Sequence, residues 1–456
     1  MIISEIKYNQ AIERLRFDAD FYKPKYIETD KIIRLHYCKP LPELAKQIVC
    51  GPFGSTIHEE DYRSNGVPLL RVADLKDFFV ASDNLTFVDE LFSNNLIHYQ
   101  VLPQDLVVSQ RGTIAMFSMV TNDYDKWIIS ANLIAIKKSE KINFYYLLVF
   151  LNSKYGITQL KRRITGQVQP KITTDDVKEI LVPIPPQPFQ QKVESLVKES
   201  YEKRKEADRK YKEAEELLNK ILGIEKLAVK EEKTYEVKFS EVEDRLDSEY
   251  YKPQYMEILR SLKPNANYNV LAINEIKEGI RYGTSEDLDY VESGVPFLRL
   301  VELNEMFSFD LNEIKYVRES DAHKLKPFIV KEGDLLVSRT GTVGCAVYID
   351  KILSNSVFGS YFIRVRLKQG YNPLYVSFFL NSIYGRMQSE RKKTGAVQTN
   401  LTIPAILSLK IVLPHGERQD TICKKYLETI SLHKEAKELL EKAKKEVVGF
   451  IENNSR

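Results

Sequence analysis

The chain has few of the residues that most often carry chemistry. Its 456 residues include four cysteines and six histidines. Cys38, Cys50, Cys345 and Cys423 are scattered, and none recurs in the internal repeat described below. That argues against a disulfide framework or a zinc site, and the compartment expected is a reducing cytoplasm. The histidines are dispersed too, so no metal is expected. Also missing are the Gly-x-x-x-x-Gly-Lys-Ser/Thr phosphate loop, His-Glu-x-x-His and the Gly-x-Ser-x-Gly elbow. No apolar stretch approaches the length that spans a bilayer, and Met1–Lys7 lacks the apolar core of a secretory signal. Charge of one sign is scarce, with Lys and Arg exceeding Asp and Glu by only three. A nucleic-acid partner would therefore need basic groups gathered on one face. Hydrophobic residues at 43% and charged residues at 29% are ordinary for globular domains, and the length fits two of them.

What the chain does have is a second copy of itself. Residues 14–223 and 243–452 run in parallel at an offset of about 229. Arg16-Phe17-Asp18-Ala19-Asp20-Phe21-Tyr22-Lys23-Pro24-Lys25-Tyr26 returns as Arg245-Leu246-Asp247-Ser248-Glu249-Tyr250-Tyr251-Lys252-Pro253-Gln254-Tyr255. Gly54-Ser55-Thr56 matches Gly283-Thr284-Ser285, and Gly66–Arg71 matches Gly294–Arg299 with a slip of one residue. From Asn143 to Gln169 against Asn372 to Gln398, 14 of 27 positions are identical without a gap. Chance does not produce that, and fixed internal repeats decide an architecture before other signals are weighed.

Within each copy, short β-branched runs (Leu106–Ser109, Trp127–Ser130, Leu133–Ile136) between Gly, Asn and Asp predict strands of a mixed sheet. Apolar positions every three or four residues predict helices over Phe144–Leu160 and Pro373–Gln388. Prolines at Val182–Pro186 and Val412–Pro414 then end each globular part. A long helix follows in both. A 4-3 spacing picks out Val193, Val197, Ser200, Arg204, Ala207, Tyr211, Ala214, Leu218 and Ile221. The same register gives Ile422, Tyr426, Thr429, His433, Ala436, Leu440, Ala443, Val447 and Phe450. Both stripes are apolar at the ends and polar at two central positions, between faces rich in Lys and Glu. Helices of ~30 residues reach ~45 Å at 1.5 Å per residue. So narrow a stripe suits one helix packing on the other better than on its own globule, and a pseudo-twofold relation would make them antiparallel. The fold class expected is α/β (α+β) globular domains in tandem duplicate, each followed by a long helix, the two helices pairing as an antiparallel coiled coil. The boundaries expected are 1–186 and 225–415 for the globules, 187–224 and 416–456 for the helices.

Catalytic motifs have weak echoes only. Asn372-Pro373-Leu374-Tyr375 is similar to the Asn-Pro-Pro-Tyr loop of amino-methylating DNA methyltransferases, but copy one has Asn143-Phe144-Tyr145-Tyr146. Before a helix, Asn is a cap and Pro fits the first turn. Carboxylate-x-Lys triplets such as Glu5-Ile6-Lys7, Glu275-Ile276-Lys277 and Glu313-Ile314-Lys315 are not kept between copies, so a nuclease site is not expected.

The polar loops are more informative. Ser109-Gln110-Arg111-Gly112-Thr113 and Ser338-Arg339-Thr340-Gly341-Thr342 share a Ser, Gly, Thr frame but differ in the middle pair. Arg pairs with guanine and Gln with adenine in the major groove, at ~1–3 kcal/mol of discrimination each. Gln110, Arg111, Arg339 and Thr340 are thus candidate DNA contacts, the alternative being that they cap the turn or meet carboxylates. A second loop, Thr165–Lys171 against Thr394–Asn400, adds Thr165, Gln167, Gln169, Lys171, Thr394 and Gln398. It follows the basic runs Lys161-Arg162-Arg163 and Arg391-Lys392-Lys393, which are candidates for phosphate contact or plain solvated surface. Arg71 and Arg299, the same in both copies, suit scaffold or backbone contact. The Arg-x-Asp box near the start of each copy reads as a structural segment tying the globule down. The helix packing positions expected are Val193, Val197, Ala207, Tyr211, Leu218, Ile422, Tyr426, Ala436, Leu440 and Val447.

The Tyr-Tyr-Lys-Pro-x-Tyr box, Asp334-Leu335-Leu336-Val337-Ser338-Arg339-Thr340-Gly341-Thr342, Phe-Leu-Asn-Ser-x-Tyr-Gly, Thr-Gly-x-Val-Gln and the proline-to-helix transition recur in order. Together they resemble the specificity subunit of a type I restriction-modification system, across essentially the whole chain. The resemblance implies a non-catalytic reader without a cofactor, each recognition domain taking half of a bipartite double-stranded DNA site. It implies paired helices that fix the gap, two methyltransferase subunits using S-adenosylmethionine, and ATP-dependent restriction subunits. A self-contained adenine methyltransferase or restriction enzyme, and a bivalent adaptor for a non-DNA ligand, are the alternatives.

Overall fold

The structure is a computed structural model describing residues 17–81, 83–112, 114–165, 170–224, 234–243, 245–303, 307–311, 313–322, 324–395 and 399–453. It divides into two compact units, Met1–Glu202 with Glu435–Arg456 and Lys203–Lys434. The long helices, Gln187–Leu222 and Arg418–Asn453, each contribute one half to each unit.

In the first unit one five-stranded sheet runs in the order Gln47–Cys50, Leu133–Lys137, Leu106–Ser109, Phe117–Met119, Phe78–Phe79. Its strands alternate. Leu106, Val108, Ile134 and Ile136 face the helices Phe144–Leu151 and Lys154–Lys161, while Val107, Leu133 and Ala135 face Leu70, Trp127 and Ile129. A side-chain period of two puts apolar groups on both faces because both are covered. Trp127 and Ile129 belong to a second sheet, ordered Tyr62–Arg63, Thr86–Val88, Val67–Leu70, Trp127–Ile129, Gln100–Val101, in which Val67–Leu70 and Trp127–Ile129 are parallel.

The second unit repeats the plan with two four-stranded sheets. One runs Lys277–Tyr282, Phe362–Leu367, Leu335–Ser338, Ala346–Tyr348, and the other Tyr290–Val291, Lys315–Val317, Val295–Leu298, Val357–Phe358. Leu335, Val337, Ile363 and Val365 face the helices, and Leu336, Val347 and Phe362 face Leu298 and Phe358.

The helices expected over Phe144–Leu160 and Pro373–Gln388 are each two helices: Phe144–Leu151 and Lys154–Lys161, then Pro373–Asn381 and Ile383–Lys392. The break is the Asn-Ser step. The Ser153 hydroxyl accepts from the Gly156 backbone N–H, starting a new helix. That helix begins so close to the first that a Cβ on Gly156 would lie 2.4 Å from the Phe150 carbonyl oxygen, and one on Gly385 2.4 Å from Leu380. Asn143 and Asn372 are caps, each taking two backbone N–H groups of the following turn.

The long helices run antiparallel. In the first unit Lys192 pairs with Glu446 at 2.8 Å, and the Ser200 hydroxyl donates to the Ala436 carbonyl at 2.7 Å. In the second, Lys210 pairs with Glu428 at 2.6 Å, Lys425 with Glu213, and the Thr429 hydroxyl reaches the Ala207 carbonyl at 3.4 Å. Ser200 and Thr429 are buried and are repeat counterparts, as are Ala207 and Ala436, so one register-setting contact is made twice. Val193, Val197, Ala207, Leu218, Ile422, Tyr426, Ala436, Leu440 and Val447 are buried, and Tyr211 is half-buried. The stripe also serves the globules. Val193 and Val197 share a cluster with Leu440, Val447 and the helix Phe144–Leu151; Leu218 shares one with Ile422, Tyr426 and Phe378. A helix whose apolar face meets two partners at once has little reason to fray.

Candidate nucleic-acid interface

The two polar loops of each copy are brought together. The Gln110 carbonyl accepts from the Ile172 N–H at 3.1 Å, and Arg111 and Thr165 both form bridges with Lys171. In the second unit the Arg339 carbonyl accepts from the Leu401 N–H at 2.8 Å, and Thr394 bridges Asn400. Gly112 and Gly341 turn the chain at φ +81° and +65°, which a residue with a Cβ adopts only under strain. Arg111, Thr165, Lys171 and Thr394 are exposed, and Gln110 and Arg339 partly so. Thr340 is 7% exposed and its hydroxyl has no partner among the described residues, so in place of the outward Arg111 the second unit holds a side chain turned inward. Gln167, Gln169 and Gln398 lie outside the described residues.

A third element completes each loop pair, and sequence reasoning missed it. The edge strand of the helix-facing sheet ends at Cys50 in one unit and Tyr282 in the other. Gln110 Nε2 lies 2.7 Å from the Cys50 sulfur, and the Arg339 guanidinium lies 4.8 Å from the Tyr282 ring centre. Both strands then turn on a glycine, Gly51 or Gly283, whose N–H donates to Leu133 or Phe362. A Cβ there would be 2.1 Å from the Ser130 oxygen or 2.0 Å from the Gly359 oxygen. The structural counterpart of Gly283 is therefore Gly51 and not Gly54, which has none of the described residues within 4 Å of its Cβ position. Copy one continues past this glycine into Phe53, 86% exposed, whereas Thr284 of copy two is buried.

Arg71 and Arg299 support the glycine turns from below. Arg71 forks onto Asp74 through two bonds of 3.1 Å, and Asp74 also accepts from the Arg71 backbone N–H. The guanidinium's own bonds to Asp74 hold its pKa above the ordinary value. Arg299 Nε donates to Glu302 at 2.7 Å; burial works to lower its pKa, but Glu302 holds it high. The turn each Arg begins carries Val72 or Leu300, which approach the Cβ positions of Gly112 and Gly341.

The arginines of the basic runs differ from expectation, while Lys161 is exposed as a solvated residue would be. Arg162 is buried, 4.0 Å from the Phe21 ring centre, donating to the Phe21 carbonyl at 2.8 Å and to Asp30 at 2.5 Å. Arg391 does the same against Tyr250, 3.6 Å from its ring centre, and reaches Glu243 at 3.1 Å. Arg163 is buried on Glu179 at 3.0 Å. The Arg162 and Arg391 guanidiniums hold the aromatic box against its globule, Arg163 ties its helix to Glu179, and none of the three is offered to phosphates. Among the described residues no three His, Cys, Asp or Glu side chains gather as a metal site, and no helix is long and apolar enough to cross a membrane.

Known proteins place this arrangement. The family model described as "Type I restriction modification DNA specificity domain" matches residues 53–207 and 266–442, most of the chain. The chain belongs to that family. Each match to the specificity domain starts in a globular part and closes inside a long helix, so one family unit falls within each copy of the repeat. Among solved structures, the specificity fold is similar to a type I restriction-modification S subunit from M. genitalium. That likeness has 12% identity and a TM-score of 0.43, and covers 90% of this chain and 95% of that one. The HsdS subunit from Thermoanaerobacter tengcongensis is similar at 15% identity and a TM-score of 0.30, covering 91% of this chain and 95% of that one. No curated protein matches the chain.

Proposed function

We propose that the chain is the non-catalytic DNA-specificity subunit of a type I restriction-modification complex, acting in the cytoplasm. Residues 1–186 and 225–415 each read one half of a bipartite duplex site. Residues 187–224 and 416–456 set the gap and dock two methyltransferase subunits, which restriction subunits join. The observation carrying this reading is the double family match, each match ending in a helix of the pair. Bases meet the surface formed by Gln110, Arg111, Thr165 and Lys171 in copy one and by Arg339 and Thr394 in copy two. Gln167, Gln169 and Gln398 flank it in sequence. Thr340, Arg71 and Arg299 act beneath that surface, as supports for it.

The test is the methylated-adenine motif of the genome with the gene present and deleted. A split motif that vanishes on deletion is the expected result. Methyl transfer or cleavage by the purified chain alone would overturn the non-catalytic reading, and an unchanged motif would overturn the specificity role.

A further inference from the structure

In the second unit two arginines face each other across a strand pair. Arg281 on Lys277–Tyr282 is the direct antiparallel partner of Arg364 on Phe362–Leu367. Directly opposed side chains in such a pair have Cβ atoms ~4.5–5.5 Å apart, and like charges there repel. Both guanidiniums lie by an aromatic pair, Arg281 5.6 Å from the Phe328 ring centre and Arg364 5.9 Å from that of Phe358.

Their charge is not neutralised. Arg364 donates to the carbonyls of Ile329 at 3.1 Å and Pro327 at 3.4 Å, and its buried Nε has no partner among the described residues. Arg281 is exposed, and among the described residues it has no hydrogen bond or ion pair. The nearby carboxylate, Asp334, is already forked onto Arg366 by two bonds of 2.7 Å. Burial, together with Arg366 and Arg281, lowers the Arg364 pKa, and only Asp334 opposes them. The Asp334–Arg366 pair belongs to the shared scaffold, since Lys137 and Asp105 repeat it at 3.6 Å in the first unit. The arginine pair is not shared. In the corresponding strand pair of the first unit, Val49 opposes Ala135.

We infer that Arg281 and Arg364 form an anion clamp, specific to the second unit, for one phosphodiester of the nucleic-acid backbone. A guanidinium presents a planar fork that matches phosphate oxygens, and two across a strand pair can hold one phosphate from both sides. The clamp rests on the reading that this unit binds duplex DNA. It would position the unit without specifying sequence.

The test uses the full chain assembled with its modification subunits and duplexes carrying correct or altered half-sites. Arg281→Ala should make the negative slope of log affinity against log salt shallower by about 1 and weaken binding roughly tenfold near 0.1 M salt, equally for all half-site sequences. Arg281→Lys should recover most of the slope. Thermal unfolding of Arg281→Ala should match or slightly exceed the wild type, because the change removes no hydrogen bond or ion pair within the described protein and relieves the repulsion on Arg364. An unchanged salt slope overturns the clamp, as does a loss confined to one half-site sequence, which would indicate a base contact. Failure of the wild-type complex to prefer any sequence would instead overturn the parent reading.

Discussion

Set side by side, the two globular units differ least where a charge is neutralised inside the protein and most where one reaches the surface. Arg71–Asp74 and Arg299–Glu302 are one fork made twice, and so are the Arg162 and Arg391 stacks on their aromatic boxes. Gln110 beside Cys50, by contrast, becomes Arg339 over Tyr282 on identical backbone bonds. A buried ion loses several kcal/mol when its partner is removed, so neither partner can drift alone. A half-exposed side chain on a fixed turn carries no such penalty. The fold thus confines change to a few positions.

The strongest way to break the likeness is to remove a shared buried arginine. Arg391→Ala should destabilise the second unit by about 2–4 kcal/mol, by emptying the space over the Tyr250 ring and leaving the Tyr250 carbonyl unpaired, while half-exposed Glu243 keeps its bond from the Tyr250 hydroxyl. Denaturant unfolding followed by tyrosine fluorescence would read it, and a loss under about 1 kcal/mol would refute the structural role. Next comes the glycine that opens each edge-strand turn. Gly51→Ala and Gly283→Ala should each cost about 1–3 kcal/mol through overpacking, and Gly54→Ala should be nearly neutral. Equal effects at Gly51 and Gly54 would return the correspondence to the one the sequence suggests.

Exchanging the surface pair sharpens the comparison functionally. Gln110→Arg with Cys50→Tyr should change the base preferred at one half-site by ~1–3 kcal/mol, visible in the methylated motif, with the other half-site untouched. A change in both halves would sink the assignment. The smallest effect is expected in the helices. Ser200→Ala or Thr429→Ala should each cost about 1 kcal/mol, the value of one buried hydroxyl bond. The double variant should lose close to the sum, because the two contacts share no residue.

Much of this was legible in the chain, for reasons that mark the limit of the rest. Repeats, heptad stripes and alternating strands are periodic, and periodicity is local. The stripe from Val193 to Leu218 predicts its burial because each position is judged against neighbours three or four residues away. Cys50 lies 60 residues from Gln110, and no local pattern joins them. Arg162 reads as part of a solvated basic run because its partners, Phe21 and Asp30, are more than 130 residues earlier. One signal was available. The arginine and the aromatic box both recur in both copies, and residues kept together are candidates for contact. The break at Ser153 was hidden because apolar positions recur at helical spacing on both sides of it, with only the Asn-Ser step and Gly156 to mark it.

The antiparallel helices also impose an order in time. The core around Val193 and Val197 is completed by Leu440, Ala443, Val447 and Ile451. A ribosome adding 5–20 residues per second needs roughly 10–50 s to travel from the first helix half to the segment that covers it. The stripe at Val193 and Val197, met on one side by the earlier helix Phe144–Leu151, therefore waits half-covered for the final turns of Arg418–Asn453.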